Sequence, residues 1–102
     1  MQDDQFTRVG RLLHMSQEET LRLSKRGDKV GVPLSRVLEE TALLRAKADE
    51  AEKSAANASY EARARQYEAA AQELRLSVKE RAWQILDEYD AKLEEEKEED
   101  EV

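Results

Sequence analysis

The fold is decided by residues 34–93, which read LSRVLEETALLRAKADEAEKSAANASYEARARQYEAAAQELRLSVKERAWQILDEYDAKL. This stretch contains neither Gly nor Pro, and an apolar residue follows at every third or fourth position. Such spacing is typical of a long amphipathic helix, or of two helices folded back on each other. The chain is therefore predicted to be all-α, with two short N-terminal helices followed by a long helix, or a long helical hairpin, that forms a coiled-coil or bundle oligomer.

The first apolar stripe of this segment turns into a seam of alanines. It consists of Leu34, Leu38, Thr41, Leu44, Ala48, Ala51, Ala55, Ala58 and Ala62. Alanine lets two helix backbones approach closely but gives less hydrophobic free energy than leucine. We therefore expect a neighbouring helix that lies close to the seam and contacts it over a long distance.

A second stripe occupies a different side of the segment. It consists of Tyr60, Ala64, Tyr67, Ala71, Leu74, Val78, Ala82, Ile85, Tyr89 and Leu93. The apolar face changes side around Ser54, Asn57 and Ser59, which are weak helix formers. Either the helix is continuous, about 60 residues and 90 Å long, or the chain turns near Asn57 and the second half packs on the first. The flanking alanines and the absence of Gly favour the continuous helix.

Residues 1–33 are predicted to form a helical head with a turn. Asp3 or Asp4 can cap a first helix that ends near His14. Its inward face is predicted to consist of Phe6, Val9, Leu12 and Leu13.

Ser16 and Glu19 match a capping box, which predicts a second helix over about residues 17–26. Gly27 follows two cations and is expected to stop that helix, with a turn over residues 27–32 and Pro33 at the first position of the long helix. An alternative pairs residues 20–23 with residues 29–32 as a β-hairpin. The helical capping signals favour the first interpretation.

The net charge of −7 is concentrated at the C-terminal end, chiefly in residues 94–101. An acidic end of this kind repels nucleic acid and anionic membranes. Carboxylates are also unfavourable at the negative end of a helix dipole. We therefore predict that residues 94–102 form a frayed acidic tail after a helical segment over residues 34–93.

The sequence favours a protein without a catalytic, cofactor or metal site. It contains no cysteine and a single histidine, His14, which we interpret as a helix-end residue. It also lacks paired Glu-x-x-His elements and a Gly-rich phosphate loop. No apolar run approaches the roughly 20 residues that span a bilayer, and no signal peptide is recognisable. We expect a soluble, cytoplasmic protein without enzyme activity.

One group of basic residues could contact nucleic acid. It consists of Arg22, Lys25, Arg26, Lys29 and Arg36, around the turn before the long helix. Two short helices before a helix that begins Pro-Leu-Ser-Arg are similar to a helix-turn-helix. The predicted turn is too long for that motif, however, and Glu39 and Glu40 would meet phosphate. A solvated basic turn is the simpler interpretation.

The sequence therefore predicts a helical assembly or adaptor protein that acts through self-association, or by docking to another protein's helix. The predicted contact residues are Leu34, Leu38, Leu44, Ala48, Ala51, Ala55, Tyr67, Leu74, Val78, Ile85 and Tyr89. The alternative is a small DNA-binding regulator or phage packaging protein that has a helix-turn-helix-like head and a coiled-coil oligomerisation segment.

Overall fold

The computed structural model describes residues 3–100 and contains four α-helices. They are α1 (Asp3–Leu13), α2 (Gln17–Val30), α3 (Leu34–Asn57) and α4 (Glu61–Asp100). Residues 3–100 contain no strand, so the all-α prediction is confirmed. The β-hairpin alternative is wrong, because residues 20–23 and residues 29–30 both belong to α2.

The long segment is a hairpin and not a continuous helix. α3 ends at Asn57, and α4 begins at Glu61 and runs back along α3. The preference for a continuous helix was therefore wrong, and the hairpin alternative describes the chain. The physical reason is burial: a straight helix would leave both apolar stripes in water, whereas the hairpin encloses Val78 and Ile85 completely.

α1 ends in a left-handed residue, as a Schellman-type helix end requires. His14 has φ 55°, and the next amide, on Met15, donates to the Gly10 carbonyl at 2.8 Å. The predicted helix end near His14 is confirmed. Of the predicted inward face, Val9 and Leu13 are buried, Phe6 is half-buried and Leu12 is exposed.

α2 begins where the sequence predicts and ends later. The Ser16 side chain accepts a hydrogen bond from the Glu19 amide at 3.2 Å, which confirms this half of the capping box. Gly27, predicted to stop the helix, lies inside α2 and is buried. A Cβ atom at Gly27 would clash with the Val32 carbonyl oxygen, so the glycine is needed for the close approach of these two backbone segments. Gly31, with φ 75°, ends the helix instead.

The turn before α3 is consequently short. It spans residues 31–33, and Pro33 occupies the N-cap position in place of the predicted first helical position. α1 and α2 pack against the end of the hairpin at which α3 begins. We call this end the base of the hairpin.

The hydrophobic core lies at the base, where four helices contribute to it. Its largest fully buried apolar side chains are Leu13, Leu23, Val37, Val78, Ile85 and Leu86. Leu34, Leu38, Leu44, Trp83 and Tyr89 pack around this cluster. Thr20 and Thr41 are also buried, and each hydroxyl donates to a carbonyl one turn earlier at 2.8 Å.

The molecule is elongated. Its principal extents are 63 × 35 × 18 Å and its radius of gyration is 16.9 Å, against about 13 Å for a compact domain of this length. The acidic run from Glu94, predicted to fray, is helical as far as Asp100. No helix among residues 3–100 has the length and apolarity needed to cross a membrane.

Candidate interaction surface

Beyond the base, α3 and α4 continue as a two-helix arm, which we define as residues 43–75. Its fully or nearly buried apolar side chains are small: Ala48 is 0% exposed and Ala71 is 5% exposed. The turn at residues 58–60 closes the far end, where Tyr60 is 72% exposed. A layer of two helices leaves both of its faces open, so much of the arm surface contacts only solvent.

One face of the arm carries a shallow groove between the two helices. Its lining consists of Lys47, Glu50, Ala51, Ser54, Tyr67 and Ala70, and it encloses about 380 Å³. Tyr67 of α4 is 39% exposed. Leu43, on the side of α3 that lines this groove, is 71% exposed. We call this surface the groove face. It combines an alanine floor, which permits close approach of another helix, with two large exposed apolar side chains.

The opposite face of the arm is closed by an arginine. The Arg75 side chain is 12% exposed; its Nε donates to Glu52 at 3.0 Å and its Nη2 donates to Asp49 at 2.5 Å. These bonds link α4 to α3 across the hairpin. The hydrogen bond from Arg75 lowers the pKa of Glu52, and the hydrogen bond to Glu52 raises the pKa of Arg75 against the effect of its burial.

Next to Arg75, a second groove faces the head. It encloses about 440 Å³ between α4 and the α1–α2 turn and is lined by His14, Glu52, Ala71, Gln72, Arg75, Leu76 and Lys79. Lys79 lies 4.0 Å from Glu19 of α2. The guanidinium of Arg75 is already matched by two carboxylates, so this groove offers little net charge to a ligand.

The predicted contact residues form the interior of the hairpin itself. Ala48, Val78 and Ile85 are buried, and Tyr67 is the exposed member. The others are half-buried: Leu34, Leu38, Leu44, Ala51, Ala55, Leu74 and Tyr89. The neighbouring helix expected along the alanine seam is therefore supplied by the same chain, and an intermolecular contact must use the outer faces of the hairpin.

The predicted basic group is only partly available. Arg26 donates to Asp90 at 3.0 Å and lies 3.5 Å from Asp87, so α4 carboxylates balance its charge. Arg36 lies over the Tyr89 ring at 5.8 Å. Arg22, Lys25 and Lys29 are exposed on α2.

Sequence reasoning missed two features of the hairpin. Leu86 is fully buried although it belongs to neither apolar stripe. It follows Ile85 directly, and adjacent apolar residues on a helix are a signal for a face wide enough to meet two neighbours. The ion pairs of Arg75 with Asp49 and Glu52 leave no comparable signal in the sequence. These three residues meet only because of where the hairpin turns.

Neither chemistry nor similarity assigns a function to this chain. Among the side chains that the structure describes, no group of three or more His, Cys, Asp or Glu residues is placed to hold a metal ion. No family model, curated protein or solved structure matches the sequence or fold. We therefore infer the function from the exposed surface of the arm.

Proposed function

We propose that the protein is a non-enzymatic assembly module whose α3–α4 arm packs against a second helical hairpin to form a coiled-coil bundle. The observation that supports this most directly is the exposed area. A monomer of 11.7 kDa usually exposes about 5,900 Å². This chain exposes 7781 Å², an excess of about 1,900 Å², whereas each partner contributes roughly 800 Å² to a standard interface.

The distribution of this excess favours the arm. Part of the area belongs to the end of α4, where residues 91–97 are all exposed. The run of residues 94–101 at this end is strongly acidic, so it repels the same run of a second chain. The arm carries mixed charge and exposed apolar groups, among them Leu43 and Tyr67. Alanines supply little hydrophobic free energy per site, so a two-helix layer built on them gains from a second layer.

The mass in solution tests this function. Light scattering at micromolar concentration is expected to give at least twice the 11.7 kDa of one chain. Ala51→Glu is expected to reduce the mass to that of one chain, because Ala51 lines the floor of the groove face and close packing leaves no room for a carboxylate. Circular dichroism separates loss of assembly from loss of the helices.

Ala56→Glu is the matched control. Ala56 is exposed on the other side of the same helix and does not line the groove, so this variant should assemble like the unsubstituted protein. A single-chain mass for the unsubstituted protein at every concentration up to the millimolar range would disprove self-association as the function.

A second candidate function is DNA binding by the head. The turn of residues 31–33 has the length found in helix-turn-helix motifs. The turn predicted from the sequence alone was too long for such a motif. Arg22, Lys25 and Lys29 are exposed on the helix before that turn. This function predicts a salt-dependent shift of duplex mobility that Lys25→Glu weakens. An unshifted duplex at low salt would exclude it.

A further inference from the structure

The two faces of the hairpin are unequally covered by the chain. α2 contacts α4 near Leu86 and through the Arg26 bonds to Asp87 and Asp90. On a helix of 3.6 residues per turn, Leu76, which lines the groove next to the head, lies opposite to Tyr67, and Leu86 lies about 160° around α4 from Ala70. The head therefore packs on one side of the hairpin, and the groove face lies on the other side.

On the groove face, α3 presents a regular stripe. Leu43, Lys47, Glu50 and Ser54 follow one another at intervals of four, three and four residues, so their side chains share one side of the helix. Lys47 and Glu50 are both exposed. Tyr67 of α4 lies near Ser54, since these two residues line both this groove and the neighbouring groove at the α3–α4 turn.

This stripe is complementary to itself when its direction is reversed. The midpoint between Lys47 and Glu50 is also the midpoint between Leu43 and Ser54, each of which lies about 8 Å from it along the helix axis. A two-fold axis through that point and across the arm places Lys47 of one copy opposite Glu50 of the other, twice. The same axis brings Tyr67 of each copy to the level of the other copy's Leu43.

We propose that the groove face is the docking site for a second copy of this chain, with the two arms antiparallel and related by this two-fold axis. The proposal rests on the proposed function and names its partner and its register. Isologous contacts of this kind close on themselves and give a dimer. The pairing matches opposite charges and covers the two large apolar side chains that the chain leaves exposed on this face.

Charge exchange at the axis tests the register. Lys47→Glu places two pairs of like charges across the interface, and so does Glu50→Lys. Each single variant is expected to raise the dimer dissociation constant by about tenfold or more. The double variant Lys47→Glu/Glu50→Lys restores both attractive pairs and should return to the affinity of the unsubstituted protein. An equimolar mixture of the two single variants should form heterodimers, which sedimentation measures directly.

Lys53→Glu is the matched control. Lys53 is exposed on α3 about a quarter of a turn from the stripe, so the same change of charge should leave the dissociation constant unchanged. A dimer that tolerates both single variants, or a mixture that remains monomeric, would overturn this register and leave the proposed function standing. A protein that never dimerises would overturn both.

Discussion

The base and the arm of the hairpin both contain parts of α3 and α4 but are stabilised differently. At the base, Leu13, Leu23, Ile85 and Leu86 are fully buried and come from three helices. In the arm, Ala48 and Ala71 take the central positions, and an arginine with two carboxylates closes one side. The base has a complete hydrophobic core, whereas the arm has only a narrow line of contact.

This difference indicates that the base stabilises the fold, whereas the arm leaves helix surface exposed. Large apolar side chains fix the fold at the base, where α1 and α2 cover α4. Small side chains in the arm contribute less stability, but they allow the helices to approach closely and leave the outer face open. An arm of this construction would be stabilised further by a partner that covers it, so the proposed assembly and the stability of the arm would be linked.

Among the substitutions that distinguish the base from the arm, the one at Leu86 is expected to have the largest effect on the free energy of unfolding. Leu86→Ala removes a fully buried side chain and should lower the free energy of unfolding by about 3 kcal/mol through lost transfer energy and a residual cavity. Chemical denaturation followed by circular dichroism measures this change. All variants must be compared at one protein concentration, because the proposed association would contribute to the apparent stability.

Leu76→Ala is the control for this prediction. Leu76 lies ten residues earlier on α4 and is 60% exposed, so its truncation should cost no more than about 0.5 kcal/mol. Similar losses for the two variants would contradict the assignment of the main core to the base.

The turn between α3 and α4 shows how far the sequence determines this fold. The switch of the apolar stripe around Ser54, Asn57 and Ser59 marked the place, and the helix does end at Asn57. Local preferences still favoured a continuous helix, because alanines surround the site and no Gly or Pro interrupts it. The hairpin forms because burial of residues 71–89 against α3 outweighs that preference, and this gain depends on tertiary packing.

Gly27 inside α2 and Gly31 directly after it also show how far the sequence determines the fold. Gly27 follows two basic residues and looks like a helix stop, whereas Gly31 holds the left-handed conformation that ends α2. Gly27 is required for a different reason, the approach of the Val32 carbonyl. Capping signals near Ser16 were sufficient because they are local, but a close contact between backbone segments leaves no mark in the sequence. The groove face likewise could not be predicted before the hairpin was known.

The smallest effect concerns the ion pairs of the arm. Arg75→Met keeps much of the packing of the side-chain stem but removes both bonds to α3. It should lower the free energy of unfolding at pH 7 by at most about 1 kcal/mol, since both carboxylates are exposed to solvent. Arg65→Met is the matched control: Arg65 pairs with Glu61 within α4 and is 75% exposed, so a loss of about 0.3 kcal/mol is expected.

The pH dependence of the free energy of unfolding distinguishes an electrostatic contribution of Arg75 from a contribution of its side-chain packing. Because the folded-state pKa of Glu52 lies below its ordinary value of 4.5, the stabilisation by this carboxylate is present above that pH and is lost as the pH falls through the lower folded value. The difference in stability between Arg75→Met and the unsubstituted protein should therefore shrink on titration from pH 7 to below pH 4.5. If the difference were the same at both ends of the titration, the contribution of Arg75 would come from its packing, and the arm would be held by apolar contacts alone.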